Sequence, residues 1–219
     1  MILHRNNTRA IREFEKWARH YDRSVLNVLL FWPTYRMMLA EVRKRAAAGK
    51  TTFRLLDIGC GTGSFATRCL ATGLNIEVTG LDMAYNMIRR AVYKHSENSN
   101  NGSHAIFTVG DAEHLPFDNG YFDMVTCSNS FHHYPHQFQA VCEMRRVIKP
   151  GGELMIVDGH RDDPLGYLIF DICVDAAEKH VRHCSRNEFV KLFKDAGFRK
   201  VTQRLRGLLP PVLATLGRA

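Results

Sequence analysis

Apolar and polar side chains alternate along the 219 residues in two regimes. From residue 8 to residue 47 the apolar positions recur at three- and four-residue steps. Ile11, Phe14, Trp17, Ala18 and Tyr21 form one stripe with basic residues around it, which predicts helix. Pro33 is expected to start a second helix running through Ala48 and ended by Gly49, because proline suits a first turn and glycine the position after a last one. The pattern then changes. Residues 53–58 are almost fully apolar over a strand's length, and the chain continues as helix 63–72, strand 76–81, helix 84–95, strand 105–109, strand 122–127, helix 137–147 and strand 152–157. Continuous apolar strands separated by helices imply a parallel sheet covered on both faces.

The remaining segments are read from their punctuation. "HSENSNNGSH" (95–104) is the most polar stretch and is expected to be an exposed loop. After Asp158, "DDPLGYLIFDICVDAAEKHV" reads as a helical insertion and "SRNEFVKLFKDAGF" as a capped helix closed by Gly197. "RKVTQRL" reads as a strand. The tail "LLPPVLATLGRA" is apolar, but its two prolines confine it to an edge strand at most. No repeat and no linker interrupts the chain, so a single domain over 1–219 is expected: an N-terminal helical part (1–50), a core (51–158), and an insertion followed by a C-terminal helix and strands (159–219).

Candidate chemistry begins at "LLDIGCGTGSFA" (55–66), where an apolar run ends in Asp57 and glycines follow at 59, 61 and 63. Such a turn lets a ligand lie against bare backbone. Dinucleotides, nucleoside triphosphates and S-adenosylmethionine are all held in this way. A triphosphate loop needs a lysine directly after its last glycine; here Ser64 and Phe65 follow, which excludes it. The dinucleotide pattern G-x-G-x-x-G/A is broken, since Ser64 stands where its third small residue belongs. Asp82 ends the second strand, where a carboxylate can bind both ribose hydroxyls or simply cap the next helix. Asp111 follows the third strand, where it can accept from an adenine amine or serve a turn. Two acids at consecutive strand ends describe an adenosine pocket at the carboxyl edge of the sheet.

With these residues in hand, the chain resembles a known family. "LLDIGCGTGSFA", "GLDMAYNMI", "GDAEHLPFDNGYFDMVTCSNSFHHY" and "MRRVIKPGGELMIVD" look like successive motifs of the class I S-adenosylmethionine-dependent methyltransferases, nearest to the ubiquinone/menaquinone C-methyltransferase-like group. The resemblance implies an α/β fold: a doubly wound, mostly parallel seven-stranded sheet of Rossmann-like type, with a reversed hairpin at its end and an N-terminal helical lid. By position, Asp57, Gly59, Gly61 and Thr62 would line the methionine half of the cofactor, Asp82 would hold the ribose and Met83 would lie against the adenine. Asp111 and Ala112 would meet the adenine edge, Ser128 and Asn129 would border the sulfonium, and Tyr21 would reach over it from the lid. His132 and His133 follow the fourth strand, where the methyl group would point. Either could deprotonate a phenol or enol. The histidines show no convincing metal spacing, so no metal is expected.

Composition narrows the partners. The net charge of +8 is uneven: residues 1–50 hold 11 Lys/Arg against 4 Asp/Glu, and residues 199–219 hold 5 against none. Basic ends suit RNA or an anionic membrane surface as well as solvated helix faces. RNA-directed methylation is therefore an alternative reading, though "SNSFHHY" lacks the N/D-P-P-Y/F type of motif common in base-amine methylation, which argues against nucleic acid. Another alternative is a non-catalytic subunit that binds S-adenosylmethionine. Apolar residues in the insertion (Tyr167, Leu168, Phe170, Ile172, Val174) suit a small quinone-, lipid- or polyketide-like substrate, and Trp17, Phe31 and Trp32 leave peripheral membrane contact open. Six cysteines without C-x-x-C pairing, together with no visible signal peptide, point to reduced thiols and a cytoplasmic protein. Oligomeric state is not legible.

Overall fold

The computed structural model describes residues 25–49, 51–97, 105–162, 181–206 and 212–219. The apolar runs become strands β1 (Phe53–Ile58), β2 (Ile76–Asp82), β3 (Ala105–Val109), β4 (Phe122–Ser128) and β5 (Ile148–Gly159). The C-terminal part adds β6 (Arg199–Arg206) and β7 (Val212–Arg218). The helices are α1 (Val25–Ala48), α2 (Ser64–Leu70), α3 (Tyr85–Glu97), α4 (Gln137–Val147) and α5 (Arg186–Asp195). Strand order is β3-β2-β1-β4-β5-β7-β6, parallel through β5, with β7 antiparallel to both of its neighbours.

The sheet has a core on each face, and residue alternation assigns them. Leu56, Ile58, Val125, Cys127, Leu154 and Ile156 pack beneath α4 and α5 with Ala140, Met144, Phe189 and Phe193. Their sequence neighbours Leu55, Met124, Met155 and Val157 pack on the opposite face with Met38 and Val42 of α1 and Phe65 and Cys69 of α2. Because both faces are covered, the central strands carry no polar face. Their continuous hydrophobicity follows from that.

Two expectations are corrected. Pro33 does not start a helix; it lies inside α1. Proline removes one backbone donor, yet packing after it secures the helix: Met38 and Val42 are fully buried, Arg45 pairs with Glu153 of β5, and Arg204 of β6 lies 3.3 Å from Glu41. The tail is not an edge strand either. β7 runs between β5 and β6, from Val212↔Gly159 to Arg218↔Glu153 on one side and from Val212↔Arg206 to Arg218↔Arg199 on the other. Pro210 and Pro211 precede its first residue, so no ladder donor is lost, and residues 212–217 are buried. The edge falls to β6, whose charged pattern protects it against further pairing.

α5 begins as its sequence suggests. The Ser185 hydroxyl accepts from the Glu188 amide and the Glu188 carboxylate accepts from the Ser185 amide, a reciprocal capping box. β5 is longer than expected, taking in Pro150 and two glycines, with a register irregularity where it meets Phe122 and Met124.

Candidate functional site

Strand order reverses between β1 and β4, so the chain leaves their carboxyl ends in opposite directions and a crevice opens between. The glycine turn after β1 forms one wall. Gly59, Gly61 and Gly63 all have positive φ, at 68°, 52° and 72°, and the amides of Gly59 and Cys60 donate to the Leu81 carbonyl at 2.8 and 3.1 Å. At Gly59 a Cβ would lie 2.1 Å from the Ser130 hydroxyl oxygen, so only bare backbone fits there.

Asp82 organises this wall. One carboxylate oxygen accepts from the Gly61 amide at 2.8 Å and the other from the Ala84 amide at 2.9 Å. The carboxylate thus caps the approach to α3, pins the glycine turn and also faces the cleft. Lys94 of α3 reaches back to the hydroxyls of Thr62 and Ser64 at 3.2 and 3.0 Å. Asp57 lies at the end of β1, 3% exposed, and accepts from the Thr126 hydroxyl at 2.8 Å. Burial raises its carboxyl to about 7 against the opposing Thr126 hydrogen bond, and the negative charge of Asp82 adds to the rise. Asp111 accepts from the Glu113 amide at 2.9 Å, a turn role, while it too faces the cleft.

The cleft has an empty volume of about 1050 Å³, its open mouth included. It brings together Asp57, Gly59, Gly61, Thr62, Asp82, Met83, Asp111, Ala112, Ser128, Asn129 and His133. Asn129 holds a left-handed backbone, φ 51°, while its amide donates to Val157. Tyr21 and the apolar residues of the insertion lie outside the described residues.

Of the two candidate histidines, His132 is separated from this group. It is absent from the cleft lining; its ring meets Asp158 at 2.7 Å instead. Phe131–His133 form a short 3-10 turn at this point, and although the rings of His132 and His133 stay in contact, only His133 lines the cleft. The structure also adds residues that the motifs do not single out. Tyr35 of α1, packed on Phe65 with ring centroids 5.9 Å apart, lines the cleft, as does Tyr134. The Tyr134 hydroxyl shares hydrogen bonds with Ser130 at 3.1 Å and Cys127 at 3.5 Å. Tyr134 directly follows the two histidines and was within reach of the sequence; Tyr35 was hidden by the helix break assigned at Pro33.

Bare backbone at the turn, carboxylates at the ends of β1 and β2 and after β3, and apolar Met83, Ala112 and Met87 between them fit S-adenosylmethionine, a cationic adenosine derivative. The fold and cleft define a doubly wound α/β domain that binds a nucleoside at the carboxyl edge of its sheet. Residues 56–156 match a family model described as a methyltransferase domain. The chain is 32% identical over 154 residues to demethylmenaquinone methyltransferase of Staphylococcus aureus, covering 70% of this chain and 61% of that protein. Among solved structures, a SAM-dependent methyltransferase from Aquifex aeolicus superposes with a TM-score of 0.67 at 19% identity, covering 95% of this chain and 97% of that one. The YcgJ protein from Bacillus subtilis superposes at 0.69 with 20% identity, covering 84% and 97%. The chain carries a methyltransferase domain over residues 56–156 and resembles the class I S-adenosylmethionine-dependent methyltransferases in fold. It spans 61% of the length of the curated relatives it matches.

Proposed function

We propose that the protein transfers a methyl group from S-adenosylmethionine to a small apolar or aromatic acceptor of quinone-like chemistry. The observation that carries this reading is the convergence, on one cleft, of the Gly59–Gly63 turn, Asp57, Asp82 and Asp111 with His133 and Tyr134. Bound S-adenosylmethionine supplies an activated methyl on a positively charged sulfonium, so the chain needs no electrophile of its own. Asp57 and the backbone from Gly59 to Thr62 hold the methionine end, and Asp82 accepts from the ribose hydroxyls. Met83 lies along the adenine, Asp111 and Ala112 meet its edge, and Ser128 and Asn129 border the sulfonium. The walls exclude water and hold the acceptor atom in line, which supplies much of the rate. His133, which lines the cleft, takes the acceptor's proton. The apolar acceptor is supported by the cleft residues Ile58, Phe65, Leu81 and Met87 and by the name of the Staphylococcus aureus relative.

The test is incubation with methyl-labelled S-adenosylmethionine and a demethylated naphthoquinol, followed by organic extraction. Label in the organic phase is the expected result. Label confined to RNA or protein fractions of an added extract, or cofactor binding with no transfer to any fraction, overturns the acceptor or the activity respectively. His133→Gln should retain cofactor affinity and lose roughly 10²–10⁴-fold in turnover; normal turnover would leave catalysis to positioning alone.

A further inference from the structure

Behind the wall that carries His133, three side chains from distant parts of the chain meet. His132 comes from the turn after β4, Asp158 from the end of β5, and His183 from the segment entering α5. They are 8%, 2% and 1% exposed. One nitrogen of each imidazole and one oxygen of the carboxylate lie within 4.8 Å of one another. His132 Nδ1 is 2.7 Å from an Asp158 oxygen, and the rings of His132 and His183 stack with centroids 4.4 Å apart and planes 24° from parallel. A hydrogen-bonded His–Asp pair needs only one imidazole. Here a second one is buried against the first and presents its nitrogen to the same carboxylate.

The backbones bearing these side chains are tied together before any ligand arrives. The Arg182 amide donates to the His132 carbonyl at 2.9 Å. Gln137 of α4 bridges the two segments, its amide nitrogen 2.8 Å from the Arg182 carbonyl and 3.3 Å from that of Phe131. Asp158 also accepts from the amides of His132 at 3.0 Å and Gly159 at 2.8 Å, which fixes its orientation. Ordered neighbours of this kind are what hold metal ligands in place.

We propose that His132, Asp158 and His183 bind one divalent first-row transition ion of the zinc class. Two imidazoles and a carboxylate suit such an ion, whereas calcium and magnesium favour all-oxygen shells. Donor atoms around a tetrahedral zinc lie about 3.4 Å apart, so a small side-chain adjustment closes the present set. Binding displaces the proton shared between His132 and Asp158. The ion clamps the turn after β4 to the end of β5 and to the segment entering α5. It sits next to the cleft, because the His133 ring, which lines the cleft, lies 4.2 Å from that of His132. No metal site is legible in the sequence, since no two of the three ligands share a local motif.

The experiment uses the full chain after chelator treatment. Calorimetry with zinc chloride should find one ion per chain at micromolar affinity or tighter, and cobalt(II) should give visible d–d absorption bands. His183→Gln should lower zinc affinity by at least about 100-fold and abolish the cobalt bands, exceeding what loss of an outer neighbour costs, while S-adenosylmethionine affinity stays unchanged. Asp158→Asn gives a second readout should that variant not fold. Absence of zinc binding to the parent chain, or zinc bound equally well by the variants, overturns the site and leaves the cluster a hydrogen-bonded packing element.

Discussion

Asp57 shows how a single buried carboxyl couples the site to pH. Its value of about 7 is set first by burial, partly offset by the Thr126 hydroxyl, and raised further by Asp82. Below that pH it is neutral; above, it carries the negative charge that a cationic cofactor favours. Affinity for S-adenosylmethionine should therefore rise as pH increases through about 7, by up to about tenfold per unit on the acid side, and then level off. Calorimetry across that range checks this, and Asp57→Asn should flatten the curve. Ligand-free stability runs the other way, because the folded value lies above the ordinary one. The contribution is complete below about pH 4 and is lost as pH rises through about 7. Asp82 makes a second residue-scale prediction. Asp82→Ala should weaken cofactor binding by tenfold or more, since each charge-assisted hydrogen bond lost to the ribose costs about 1.5–3 kcal/mol. The same change also frees the Gly61 amide and so loosens the turn. An unaltered dissociation constant would reduce Asp82 to a cap for α3.

At the scale of elements, β7 illustrates how neighbours override a local signal. Two prolines argue against a central strand only if they fall within the ladder, and here they fall just before it. Gly217 marks how tightly the strand is covered: a Cβ there would stand 2.6 Å from the Phe193 ring and 2.9 Å from Phe198 Cβ. Gly217→Ala should cost about 1–3 kcal/mol through overpacking and lower the melting temperature by roughly 2–4 °C for each kcal/mol. Cofactor affinity should be preserved, because β1, β2 and β4 carry the cleft and β7 lies beyond β5. Thermal unfolding followed with and without S-adenosylmethionine separates the two effects. α1 obeys the same logic: burial of Met38 and Val42 and the Glu41 and Arg45 ion pairs hold a helix that Pro33 taken alone would interrupt.

For the whole molecule, ligand and fold are linked because the cleft is assembled from strand ends that only the sheet brings together. S-adenosylmethionine at 100 times its dissociation constant should stabilise the protein by about 2.7 kcal/mol, a rise in melting temperature of roughly 5–10 °C. Nicotinamide dinucleotide should produce no such rise; a larger shift with it than with S-adenosylmethionine would reverse the assignment of the glycine turn. Part of the basic charge has a place in this picture. Arg199, Lys200, Arg204 and Arg206 lie on β6, exposed or nearly so, at the far edge of the sheet from β1 and β4. Charge there protects an edge strand.

The sequence by itself determined the parallel core and the acidic, glycine-lined end of the cleft. Apolar runs of strand length reflect strands buried on both faces, and a glycine turn with acids after successive strands records backbone and charge needs that are local to each strand end. Residue order thus carried Asp57, Asp82 and Asp111 to one place through the regular crossover of β1, β2 and β3. Other features depended on long-range packing. The continuity of α1 through Pro33 rests on contacts with β5 and β6, and the interior place of β7 rests on pairing with two strands at once. The meeting of His132 with Asp158 and His183 came from three separate segments closing on one point. Periodicity registers which face of an element is buried; it does not register which distant residue that face will meet, and that was decided by the tertiary structure.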